Sequence, residues 1–275
     1  MTLNKEIYSR DTELRSTEAE CAVRTSLERQ IETTQYPVIK EKLRAERREH
    51  NSRQTLERKY YYTKKNAAKT SPSQYLSLII DGMDQSKTNL PHFVGRMAKA
   101  VNKVDQLTTH VTGVLAHGQN KCFTFLDRNQ FAHDSNLTMN ILMLILYQIS
   151  KLMGNKLPPI LYLQADNCWR ENKNRYVLGF CELLVHQRIF NEVHLSFLPV
   201  GHTHEDVDAA FSRIAETLRR NDAETMPRLK EMLPNVKDVE AIYDIRDVIY
   251  QFGMVKTFGK VTYVLRVICP QPAVP

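Results

Sequence analysis

The chain has 275 residues, 42% of them hydrophobic and 25% charged, with a net charge of +7. This composition supports a globular core, and the absence of any run of about 18 apolar residues excludes a membrane-spanning helix. Five scattered cysteines (Cys21, Cys122, Cys168, Cys181 and Cys269) form no Cys-x-x-Cys pair, which speaks against a disulfide framework or a cysteine zinc site and for a reducing compartment, nuclear or cytoplasmic.

Residues 1 to about 70 are expected to form a helical, charged arm. The segment Met1 to Ile7 is charged and lacks an apolar core, so no secretory signal is expected. Pro37 should separate two helices, because proline breaks an interior turn. Between Lys40 and Lys69 stand eleven Lys or Arg and four Glu, a local +7 equal to the excess of the whole chain. Clustered positive charge is the footprint of a polyanion partner, most often nucleic acid. Arg58, Lys59, Lys64, Lys65 and Lys69 are the expected phosphate-binding residues. The neighbouring Tyr60-Tyr61-Tyr62 offers surfaces on which bases stack. The competing view is a solvated, salt-bridged helix, for which Glu41, Glu46, Glu49 and Glu57 supply the acids.

Thr70 to Ser73 has the composition of a linker. Strands are expected at Tyr75–Ile80, His110–Ala116, Lys121–Leu126, Ile160–Ala165 and Val193–Leu198, the second and third joined as a hairpin. Helices are expected at Asn136–Met153, apolar nearly all round and so buried, at Arg175–Arg188, and from Thr203 to about Arg220. A last strand is expected at Val261–Val267. The order is therefore βββ-α-β-α-β-α, an α/β chain. Its helical crossovers demand parallel strands and place the first, fourth and fifth side by side. The expected divisions are an arm at 1–70, a core at 71–235 and a C-terminal extension at 236–275.

Three acids stand where chemistry is expected. Asp81 and Asp166 follow the first and fourth strands, and ligands in open α/β sheets bind beyond the carboxyl ends of strands. Asp is depleted in strands and costly to bury unpaired, although Asp166-Asn167 is also good turn chemistry. In the third stretch, Val207, Phe211, Ile214 and Leu218 are spaced as one apolar helix face with Asp208 at its edge. Thr203-x-x-Asp206 resembles a capping box, which gives Asp206 a structural role. Asn167, His202 and Asp206 are supporting residues. Carboxylates from three separate elements suit hard divalent cations, Mg²⁺ or Mn²⁺, which take oxygen ligands.

This element order, with acids after its first and fourth strands, resembles the RNase H-like fold of transposases and retroviral integrases. Asp166-Asn167 is similar to their Asp-Asn after the fourth strand. Asp208, three residues before Phe211, takes the place of the third acid. Ile80-Asp-Gly-Met-Asp-Gln-Ser-Lys87, Asp166-Asn167 and Gly201-His-Thr-His-Glu-Asp-Val-Asp208 together resemble an uncharacterised domain family of transposon-derived eukaryotic proteins, over about residues 70 to 268. The resemblance implies a mixed five-stranded sheet, a catalytic and metal-binding set of Asp81, Asp166 and Asp208, and DNA as partner. It differs in the arm, where no full terminal-repeat-binding domain or zinc motif is evident.

Two other functions stay open from the sequence. One is a domesticated, catalytically silent relative that binds nucleic acid or protein. The other is a zinc hydrolase, because His202-x-His204-x-Asp206 matches the start of an HxHxDH pattern whose last position is here Val207.

Overall fold

The computed structural model describes residues 22–95, 106–197, 206–251 and 264–268. They fall into two compact units, one of residues 22–62 and one from residue 63 onward. The first unit contains α1 (Ala22–Thr33) and most of α2 (Pro37–Thr70). Pro37 occupies the first helical position of α2, where its missing N–H is an orphan donor in any case and its fixed φ suits the helix. Glu41 pairs with Arg44 and Arg48, and Glu49 with Arg53. These are exposed ion pairs of the sort that adds little stability.

The second unit is α/β and is built on a mixed sheet. Its elements are β1 (Tyr75–Gly82), β2 (His110–Ala116), β3 (Lys121–Asp127), α3 (Ser135–Leu152), β4 (Ile160–Ala165), α4 (Arg175–His186), β5 (Glu192–Phe197), α5 (Asp206–Arg220), α6 (Met226–Glu231), β6 (Val236–Asp238), α7 (Ile245–Gln251) and β7 (Val264–Ile268). The strand order is β6-β3-β2-β1-β4-β5-β7. β1, β4 and β5 are adjacent and parallel, as the crossovers require, while β2 runs antiparallel between β1 and β3.

Among the described residues the sheet has seven strands: the five expected of the core, β7 overlapping the last strand expected, and the unexpected β6. β6 pairs with β3 and β7 with β5. Three residues are too short to display a strand period, so β6 left no mark in the sequence. The segment expected as a C-terminal extension is continuous with the core: it supplies both edge strands and buries Val239, Ile245 and Ile249.

Residue alternation divides the two faces of the sheet. Leu76, Leu78 and Ile80 of β1 join one apolar cluster with Leu137, Ile141 and Ile145 of α3 and with Val177, Phe180 and Leu184 of α4. On the opposite face α5 buries Val207, Phe211, Ile214 and Leu218, the face foreseen from their spacing. α3 departs from expectation: Met143, Tyr147 and Leu152 are exposed, so the helix is buried on one face and not all round. Its buried Asn136 and Asn140 both donate to the Tyr243 carbonyl, a use for amides that apolarity does not reveal. Among the described residues no helix is long and apolar enough to cross a membrane.

Candidate metal centre at the carboxyl ends of the strands

Asp81 and Asp166 are brought together by register. β1 and β4 pair in parallel up to Ile80 opposite Ala165, so the next residue on each strand is the acid. The N–H of Gly82 donates to Asp81 Oδ1 at 2.8 Å. Asp166 Oδ1 accepts from the Cys168 N–H at 3.1 Å and from the Asn172 amide. Asn172 is itself buried and takes the Thr138 hydroxyl at 3.3 Å, so the orientation of Asp166 is tied to α3.

Asp208 sits in the first turn of α5, half-buried. It acts on Asp81 through space. Burial pushes the Asp81 carboxyl up to about 7, the charge of Asp166 adds to this, and Asp208 and Glu171 add further, against the opposing hydrogen bond from Gly82. The three acids named from sequence therefore share one electrostatic neighbourhood. Glu171 is a fourth member, and its charge too raises the Asp81 carboxyl. Their carboxylates stand apart, because among the described residues the trio of acid and histidine ligand atoms within 4.8 Å of one another is a different one, His110, Asp127 and His133.

That trio lies at the same end of the sheet. His110 opens β2 and Asp127 closes β3, and the hairpin sets them opposite each other. His110 Nδ1 is 3.0 Å from Asp127 Oδ2, and His133 Nε2 is 3.6 Å from Asp127 Oδ1. The two imidazole rings lie 3.9 Å apart between centroids, tilted by 33°. Burial pushes the Asp127 carboxyl up, but the hydrogen bond and charge of His110, the Asn129 N–H and His133 outweigh it and hold Asp127 below its ordinary value. A small cavity is lined by Asp81, Gly82 and Glu171 together with His110 and His133.

Asp206 faces other partners. Its carboxylate forms an ion pair with Lys65 and lies 3.2 Å from His117 Nε2, while His117 Nδ1 is 2.9 Å from the Ser77 hydroxyl. Lys65, expected to meet phosphates, is thus engaged within the fold with 14% of its side chain exposed. Lys64 lies over the Tyr162 ring, 4.4 Å from its centroid. Lys59 and Lys69 are exposed and Arg58 half-exposed. Asn167 is half-buried in the turn after β4. His202, Thr203 and His204, and with them the capping-box and HxHxD readings, lie outside the described residues.

The family model described as a domain of unknown function, DUF7869, matches residues 99–263, more than half of the chain. That span includes Asp166, Asp208 and the His110–Asp127–His133 trio, and it begins after β1 and Asp81. No curated protein and no solved structure matches the chain.

Proposed function

The chain belongs to the DUF7869 family, and we propose that it is a transposon-derived RNase H-like protein, a divalent-metal-dependent nuclease or transposase-like enzyme acting on DNA phosphodiesters. The observation that carries this is the placement of Asp81 beside Asp166 by the parallel β1–β4 register, with Asp208 in the first turn of α5 near enough for its charge to act on Asp81. Carboxylates gathered at this end of the sheet fit a hard cation, which would offset the burial and the neighbouring charges that raise the Asp81 carboxyl. The central strand order β3-β2-β1-β4-β5 and its single antiparallel member β2 support the same reading.

Mg²⁺ or Mn²⁺ held by the three acids would supply the activation of the attacking oxygen and the stabilisation of the leaving one. The chain's own residues do the positioning. Asn172 and the Cys168 N–H fix one oxygen of Asp166, and Gly82 fixes one of Asp81. Val207 and Phe211, packed on the sheet, hold the helix turn that carries Asp208. The cationic residues of α2, Arg58, Lys59 and Lys69 in particular, would hold the backbone of the nucleic acid.

A nicking assay with Mn²⁺, run beside melting curves with and without the ion, tests this. Asp81→Asn, Asp166→Asn and Asp208→Asn should each abolish cleavage and reduce metal-induced stabilisation, because Asn keeps the shape but loses the charged ligand. Asp206→Asn should retain cleavage. Cleavage that survives Asp208→Asn but not Asp206→Asn would reverse the assignment of the two acids.

A further inference from the structure

We propose that His110, Asp127 and His133 form a second, separate metal centre, a two-histidine, one-carboxylate site for a borderline transition-metal ion such as Zn²⁺. The three residues offer ligand atoms within 4.8 Å of one another. Atoms that bind one ion at about 2.0–2.2 Å stand roughly 3–4 Å apart, and the separations of 3.0 Å from His110 to Asp127 Oδ2, now bridged by a hydrogen bond, and 3.6 Å from His133 to Oδ1 lie in that range.

The second observation is an orphan. His133 Nε2 is buried and makes no hydrogen bond, its contact with Asp127 Oδ1 being 3.6 Å long. A buried imidazole nitrogen left unpaired costs free energy, and native folds avoid this unless something else satisfies the atom. One divalent ion satisfies Asp127 and both imidazoles at once, and neutral imidazole is the form that binds it.

The surroundings match a metal-bound histidine. His133 Nδ1 is 3.2 Å from the side-chain amide of Gln85. The amide's oxygen and nitrogen exchange places by rotation, so Gln85 can accept from Nδ1–H and leave the Nε2 lone pair to the ion. The adjoining cavity of about 20 Å³ is large enough for one water, so a fourth position is open. Three protein ligands with an open place are the pattern of reactive rather than purely structural zinc. Asp81 and Glu171 line the same cavity as His110 and His133.

Calorimetric titration of the full chain with Zn²⁺, after chelator treatment, tests the proposal, with Co²⁺ as spectroscopic probe. The chain should take up one equivalent of Zn²⁺ even when Asp81, Asp166 and Asp208 are all changed to Asn. That arm isolates this centre from the Mg²⁺ site of the acids, so either can fail alone. His133→Gln should lower Zn²⁺ affinity more than tenfold and remove the visible absorption of bound Co²⁺, with near-UV circular dichroism unchanged. Gln85→Ala touches no ligand and should still weaken binding, by roughly tenfold. Absence of Zn²⁺ uptake would overturn the proposal. So would uptake indifferent to both His133→Gln and Gln85→Ala, or uptake that disappears with the three acids.

Discussion

The ring of Phe211 occupies the space a side chain at position 113 would need: a Cβ on Gly113 would stand 2.5 Å from Phe211 Cε1 and 2.8 Å from Cζ. Gly113 lies opposite Asp81 in the β1–β2 register. The absent side chain thus lets Phe211 of α5 settle against the sheet where β2 pairs with Asp81. Gly113→Ala should destabilise the fold by about 1–3 kcal/mol through overpacking. Adding Phe211→Leu should recover part of the loss. Urea denaturation of both single variants and the double gives the coupling, and additive losses would contradict the contact.

Asp81 should make stability depend on pH. Its carboxyl titrates at about 7 in the fold, against an ordinary value of 3.8. Between those values the native state keeps a proton that the unfolded chain has lost. The contribution is fully present below the unfolded value and is lost as pH rises through the folded one, by on the order of 4 kcal/mol in total. Asp81→Asn carries no charge at any pH, so it should flatten this slope and exceed the parent in stability above about pH 7. Denaturation in chelator from about pH 5 to about pH 8 measures both, and parallel curves would refute the shift.

The regular elements were legible because their periods are strong. β2 and β4 begin and end where alternation and apolar runs place them, and the parallel neighbours β1, β4 and β5 follow from crossover geometry. The nearness of Asp81 to Asp166 was legible for the same reason, since both follow strands that pair in parallel. The histidine trio was half legible. His110 and Asp127 are equidistant from the turn at His117–Asn120, so hairpin register alone sets them opposite each other. His133 arrives from a loop and follows no period, and nothing local announces where a loop residue docks. The pairing of Lys65 with Asp206 joins residues 141 positions apart and is likewise invisible to any local pattern.

That pairing bears on how the basic helix is tested. Removing Asp206 leaves Lys65 and His117 without the carboxylate that faces both. Asp206→Ala should therefore cost about 1–3 kcal/mol of stability, as losses of charged hydrogen-bond partners do, and Asp206→Asn less. Thermal melts compare the two, and equal losses would show that the charge itself, not hydrogen bonding, matters. Charge reversal at Lys65 would confuse folding with binding.

Exposed Lys59 and Lys69 suit the nucleic-acid test better. Their joint change to Glu should weaken DNA binding across sequences and make the salt dependence shallower, since fewer counterions are released. Fluorescence anisotropy from about 50 to about 200 mM salt gives the slope. An unchanged slope would remove these lysines from the interface.

The margins of the sheet carry a consequence for how the protein behaves in a crowd. Among the described residues its outermost strands are its shortest, three residues in β6 and five in β7. β6 ends in Lys237-Asp238, charges that discourage a foreign strand from docking along it. On the far side, β7 covers β5 from Glu192 to Ser196. Were β7 to detach, β5 would present an open row of backbone donors and acceptors bearing buried Val193, Leu195 and Phe197, a ready template for edge-to-edge aggregation. The five residues of β7 thus cover a backbone edge that would otherwise be open to such pairing.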